Sequence, residues 1–173
     1  MITHSQARSM AEANWGRGGT KSRRTNRTGA FYFSCSSHGG YIIDGRAMSE
    51  EARKAISAYR EPETTSEVID PETGVIHAVF NPFSLRRRTV KALRHWQQRD
   101  IKIWAFEEDC DWCLPVIFAG ITTGGNEPEH ALGTFRQWMK PSNHQIIEAV
   151  ALFSKHFPDL ADKAQAMLEP ATA

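Results

Sequence analysis

Between residues 106 and 113 the chain reads Phe-Glu-Glu-Asp-Cys-Asp-Trp-Cys, four carboxylates in five residues, and the segments on either side allow little freedom in where this turn can lie. On its N-terminal side, Ile101-Lys102-Ile103-Trp104-Ala105-Phe106 is short, β-branched and aromatic, which predicts a strand buried on at least one face. On its C-terminal side, Trp112-Cys113-Leu114-Pro115-Val116-Ile117-Phe118-Ala119 is almost wholly apolar and is expected in the core. Glu107, Glu108, Asp109 and Asp111 therefore sit where the chain turns between two buried elements. One reading makes Asp109 or a neighbour the cap of a helix starting here, with the other acids favoured by the positive end of the helix dipole. Pro115 fits that reading if it lies in the first turn. The other reading is a site, because clustered carboxylates bind hard cations or act as general acid and base. Acids at helix starts are common, so capping leads.

The 173 residues, 40% hydrophobic and 10% aromatic, suffice for one domain with a real core. Net charge is +1, so bulk electrostatics select no partner class and local clusters must do so. No apolar run reaches the ~18 residues needed to span a bilayer, and Met1-Ile2-Thr3-His4-Ser5-Gln6 lacks a signal-peptide hydrophobic region. A soluble, cytoplasmic protein without a membrane partner is expected. Three cysteines, an odd number, do not suggest a secreted disulfide framework.

Residues 1 to 14 are polar and small and are expected to form a flexible arm. Trp15-Gly16 then leads into Arg17, Lys21, Arg23, Arg24 and Arg27 with no acid between them. Such a stretch can follow a phosphate backbone by neutralising phosphates and releasing counterions. An exposed loop kept soluble by its charges is the simpler reading. Residues 30–37 and 41–45, separated by His38-Gly39-Gly40, predict a β-hairpin whose paired glycines supply the positive φ of the turn. His38 would stand at its lip. A lone histidine there is usually structural, although it is the natural proton carrier if one exists.

Ser49-Glu50-Glu51 predicts a capped helix running to about Tyr59, with Ala52, Ile56 and Tyr59 on one face. A second hairpin is expected from 67–69 and 75–80, joined by Asp70-Pro71-Glu72-Thr73-Gly74. The pattern from Ser84 to Gln98 predicts a helix with Val90, Leu93 and Trp96 inward. Arg87, Lys91 and Arg94 on its other side form a second basic cluster. Beyond the acidic turn, helices are expected over 129–139, from the capping-box pair Ser142 and Gln145 onward, and to about Leu168. Ile146, Ile147, Val150 and Phe153 would line the buried face of the middle one. The fold expected is α+β: a small antiparallel sheet of two hairpins and a further strand, packed by helices, with a C-terminal helical extension. Residues 15–125 would form the core domain and 126–173 the helices packed on it or at an interface.

Cys35 with His38, and Cys110 with Cys113, have the ligand types and C-x-x-H and C-x-x-C spacing of a zinc site. In an extended strand, however, Cys35 and His38 face opposite sides. Buried free thiols are the preferred reading, and no metal or cofactor is expected. No phosphate loop, dinucleotide fingerprint, HExxH or G-x-S-x-G motif is present. Catalysis by His38 with Glu107, Glu108 or Asp109 requires folding to bring the hairpin lip to the acidic turn.

Trp15-Gly16, Ser37-His38-Gly39-Gly40 and Phe106-Glu107-Glu108-Asp109-Cys110-Asp111-Trp112, in this order, resemble a small domain of unknown function encoded by phages and plasmids. In that family a Trp-Gly near the start, a Ser-His-Gly-Gly turn and a Glu-Glu-Asp-Cys-acid-Trp segment recur. The resemblance covers roughly residues 15 to 120. It departs where the basic, glycine-rich insert replaces a Pro-Ala type continuation after Gly16, and at Pro115, inside what should be a continuous helix. It implies a mobile-element origin. Together with the basic clusters and the missing enzyme motifs, it leads to an accessory protein that binds a host protein or nucleoprotein complex. Inhibition of a defence system, of the anti-CRISPR or anti-restriction type, is the form expected. A His/carboxylate or metal-dependent nucleic-acid-processing enzyme and a plain nucleic-acid-binding module are the alternatives.

Overall fold

The computed structural model describes residues 1–16, 20–36, 38–69, 76–79 and 97–168, the backbone alone at 13, 63–69, 76–79 and 97–101. Its centre is an antiparallel sheet of six strands: β1 (Lys21–Arg23), β2 (Ala30–Ser34), β3 (Gly39–Asp44), β4 (Glu63–Ile69), β5 (Ile76–Val79) and β6 (Gln97–Glu107). Their spatial order is β1-β2-β3-β6-β4-β5, so the last strand in sequence enters between β3 and β4. Around it lie α1 (His4–Trp15), α2 (Glu50–Ser57), α3 (Cys113–Ala119), α4 (Glu127–Met139), α5 (Asn143–His156) and α6 (Ala161–Ala166). The architecture is α+β.

Strand periodicity divides the core in two. On β3 and β6, Tyr41 pairs with Phe106 and Ile43 with Trp104, and all four point to one face. That face is covered by Ala52 and Ile56 of α2, the whole of α3, and Phe135, Val150, Phe153 and Ala164 of the C-terminal helices. The alternate residues Ile42, Ile103 and Ala105 point the other way, where with Phe33 of β2 they meet Ile2, Ala7, Met10 and Ala11. The molecule is thus three layers, with α1 on one side of the sheet and the remaining helices on the other.

The flexible arm expected over 1–14 is therefore corrected to a docked helix. Thr3 and Gln6 form a reciprocal capping box, the Gln6 side chain accepting from the Thr3 N–H at 2.7 Å. The Ile2 N–H donates to the buried Asp44 carboxylate at 2.8 Å, fixing the start of the helix to the end of β3. The first hairpin forms in the expected place, but its glycines are not the turn. Gly39 and Gly40 pair with Ser34 and Phe33 as the first residues of β3, and the Cys35 N–H donates to the His38 carbonyl at 2.7 Å to close the reversal. At φ +149°, Gly40 leaves room for the neighbouring strand: an added Cβ would stand 1.7 Å from the Phe106 carbonyl oxygen.

The second hairpin pairs Ser66–Ile69 with Ile76–Val79, and its turn residues lie outside the described residues. The helix expected over 84–98 lies outside them too, except that Gln97 and Gln98 belong to β6 and pair with Ile69 and Val68. Both helix starts assigned to serines are capped as expected, by Ser49 and by the Ser142–Gln145 box. Ile147 is corrected: it is 54% exposed, while Ile146, Val150 and Phe153 are buried.

Candidate functional site

The pairing of β3 with β6 sets Gly40 opposite Glu107, which carries the hairpin lip to the acidic turn. The Glu108 N–H donates to the Gly39 carbonyl at 2.8 Å, extending the ladder into the turn. As a result the His38 Nδ1 lies 2.9 Å from Glu107 Oε1, although 68 positions separate the two residues before Glu107 is reached. One ligand atom each from His38, Glu107 and Asp109 can be chosen so that all three lie within 4.8 Å of one another. The site is at the surface, with the His38 and Glu107 side chains 46% and 40% exposed.

The four carboxylates of the turn have different tasks. Asp111 is buried, and its Oδ1 accepts from the Glu107 N–H, closing the turn upon itself. Arg60 approaches its other oxygen at 3.6 Å, and Arg60 is itself placed by the Trp104 indole N–H, which donates to the Arg60 carbonyl. Burial nevertheless keeps the Asp111 carboxyl above its ordinary pKa, outweighing the Glu107 N–H and Arg60. Glu108 accepts from the Tyr32 hydroxyl at 3.0 Å, and burial together with that carboxylate pushes the Tyr32 pKa up to about 12. Glu107 faces His38. Asp109 is exposed and, among the described residues, has no hydrogen bond or ion pair.

This arrangement replaces the expected helix cap. Trp112 occupies the N-cap position of α3 without a side-chain hydrogen bond, and the carboxylate of Asp111 turns back to Glu107 instead. Pro115 is the third residue of α3, in the first turn, where its missing N–H leaves no helical bond unmade.

The four candidate zinc ligands do not assemble: no three of Cys35, His38, Cys110 and Cys113 bring their ligand atoms together. The Cys35 thiol donates to the His38 and Trp15 carbonyls, and Cys113 is wholly buried with its thiol toward the Cys110 carbonyl. Burial, then the Asp111 carboxylate, pushes Cys113 up to about 12, and the same two causes raise Cys110. Thiols held protonated in this way are poor ligands and poor nucleophiles.

Of the first basic cluster, Lys21, Arg23, Arg24 and Arg27 are described and exposed, while Arg17 lies outside the described residues. None of the four has a carboxylate partner among the described residues; Arg23 lies 5.9 Å from the centre of the Tyr32 ring. Arg23, Arg24 and Arg27 line a surface groove of about 370 Å³ with His4 and Phe31. The loop carrying them is fixed to the body. Asn26 exchanges three hydrogen bonds with Gly120 and Thr122 beyond α3, at 2.9 to 3.0 Å, and the Thr25 hydroxyl donates to the Ala30 carbonyl at 2.7 Å. Arg87, Lys91 and Arg94 of the second cluster lie outside the described residues.

Asp44 is a structural carboxylate that no motif in the sequence marks. It is fully buried, with both oxygens bonded to the Arg46 guanidinium at 2.6 and 2.8 Å. The acid two residues before an arginine was its only local signal. No helix of the described residues is long and apolar enough to cross a membrane. Comparison of the chain with protein-family models, with curated proteins and with solved structures returned no match.

Proposed function

We propose that this chain is a phage- or plasmid-encoded accessory protein that binds a host component handling nucleic acid, and that it acts as an inhibitor of a defence system of the CRISPR or restriction kind. The observation that carries this reading is the basic loop. Among the described residues Lys21, Arg23, Arg24 and Arg27 have no carboxylate partner, yet Thr25 and Asn26 hold the backbone beneath them. A charged loop that serves solubility alone has no need of such anchoring, whereas a preorganised one loses less entropy on meeting a polyanionic surface. The resemblance of the Trp-Gly, Ser-His-Gly-Gly and acidic segments to the phage and plasmid domain supplies the setting.

The test is phage plating on hosts with active CRISPR interference or restriction, with and without expression of the full chain. Protection of the phage by at least tenfold is expected, and it should be lost when Arg23, Arg24 and Arg27 are all replaced by glutamate. Unchanged plating across such hosts overturns the reading. Direct, steeply salt-dependent binding of bare duplex by the purified chain, without such protection, would establish the plain nucleic-acid-binding module instead.

A second reading, a nucleic-acid-processing enzyme, is favoured by one observation, the 2.9 Å approach of His38 Nδ1 to Glu107. It predicts cleavage of DNA or RNA substrates that His38→Ala abolishes while the melting temperature stays nearly unchanged.

A further inference from the structure

The lip of the first hairpin has the makings of a cation site, whatever partner the chain binds. A row of surface acids alone would say little, since such residues are commonly solvated. Here, two of the turn's four carboxylates are engaged in holding it together. Asp111 is bonded to the Glu107 N–H and faces Arg60, and Glu108 accepts from Tyr32. The two that are left, Glu107 and Asp109, are the two that converge with an imidazole nitrogen delivered from the reversal between β2 and β3. Neither carboxylate has a lysine or arginine partner among the described residues.

We propose that His38, Glu107 and Asp109 form a three-ligand site for one divalent first-row transition ion, such as Zn²⁺ or Mn²⁺, at the protein surface. The donor set of one nitrogen and two carboxylate oxygens suits these ions better than Ca²⁺, which takes oxygen ligands. Metal–ligand bonds of about 2.0–2.2 Å place ligand atoms roughly 3 to 4.4 Å apart. The three atoms already lie within 4.8 Å, so small side-chain adjustments complete the set. The scaffold beneath is fixed by the Gly40–Glu107 pairing, by the Glu108 N–H bond to the Gly39 carbonyl and by the Asp111 closure. Three protein ligands on an open surface leave coordination positions for water or for an oxygen of a partner molecule.

Isothermal titration of the metal-stripped full chain with Zn²⁺, and separately with Mn²⁺, tests the assignment, with Co²⁺ absorption as an optical readout of ligand type. One equivalent per chain is expected. His38→Ala and Asp109→Asn should each weaken binding at least tenfold. Both side chains are exposed, so the variants should keep the circular dichroism and melting temperature of the parent. Glu108→Gln, Cys35→Ser and Cys110→Ser should leave the affinity within about twofold. Absence of saturable one-to-one binding overturns the proposal. So does binding that survives the double His38→Ala, Asp109→Asn change, or that follows the cysteine variants and shows thiolate charge-transfer absorption with Co²⁺.

Discussion

Asp44 is a carboxylate fully removed from solvent, at 0% exposure against 6% for Asp111. Burial alone would raise its pKa, but hydrogen bonds from the Arg46 guanidinium and from the backbone N–H groups of Arg46 and Ile2 outweigh that and hold it below the ordinary value. The folded-state pKa therefore lies below the unfolded value of about 3.9. The stabilisation is complete above the unfolded value and is lost as pH falls through the folded one. Urea midpoints measured between neutral pH and about pH 3 should fall for the parent chain and fall less for Asp44→Asn. At neutral pH, Asp44→Ala should cost about 3 kcal/mol, because Arg46 and the Ile2 N–H lose their common acceptor. Two glycines give an opposed pair of expectations. Gly40→Ala puts a Cβ into the Phe106 carbonyl at positive φ and should cost more than about 3 kcal/mol. Gly133→Ala lies inside α4 with open space around it and should add about 0.5–1 kcal/mol.

At the scale of elements, the acidic turn is held by acceptors more than by charge. Because burial raises the Asp111 pKa above its unfolded value, folding takes up a proton between the two values, and acidification through that window favours the fold through this residue. That is the reverse of Asp44. Asp111→Asn, which keeps an oxygen for the Glu107 N–H, should therefore change stability by less than about 1 kcal/mol. Asp111→Ala should lose about 1–3 kcal/mol. Equal losses in denaturant titrations of the two variants would show that the ion pair with Arg60, not the hydrogen bond, closes the turn. Elements with local chemistry were legible in the sequence: the Ser49 and Ser142 caps, the first hairpin, and the apolar run that became α3. The turn was placed correctly between two buried elements, but its acids do not cap. In the sequence the glycine pair reads as a reversal, because positive φ is the usual reason for such a pair. Its actual reason, the closeness of the Phe106 carbonyl, belongs to a strand more than sixty residues away. The meeting of His38 with Glu107 has the same origin: a register between β3 and β6, which no local pattern encodes.

For the whole molecule, the consequential difference from the sequence expectation is the third layer. Thr3-x-x-Gln6 has the same spacing as Ser142-x-x-Gln145, yet the segment after it is poor in large apolar residues, so it reads as an arm. It docks because the sheet supplies the bulk. Phe33, Ile42 and Ile103 are fully buried on that side, against a helix face made largely of Ala7, Met10 and Ala11. Small residues let the helix axis come close, and Asp44 ties down its first turn. If this layer is integral, a charge on its inner face must be felt by the entire cooperative unit, since no other described element covers Ile42 and Ile103 there. Met10→Asp should lower the stability of the full chain by about 3 kcal/mol or more, whereas Ser9→Asp, on the exposed side of the same helix, should change it by less than about 0.5 kcal/mol. Chemical denaturation followed by tryptophan fluorescence in a Trp15→Phe background distinguishes the two, because the probe on the first helix is then gone and Trp104, in the opposite core, reports on α1 only if both layers unfold together. Identical midpoints for the two variants would mean that the first helix is an appendage of the sheet and not a part of its core.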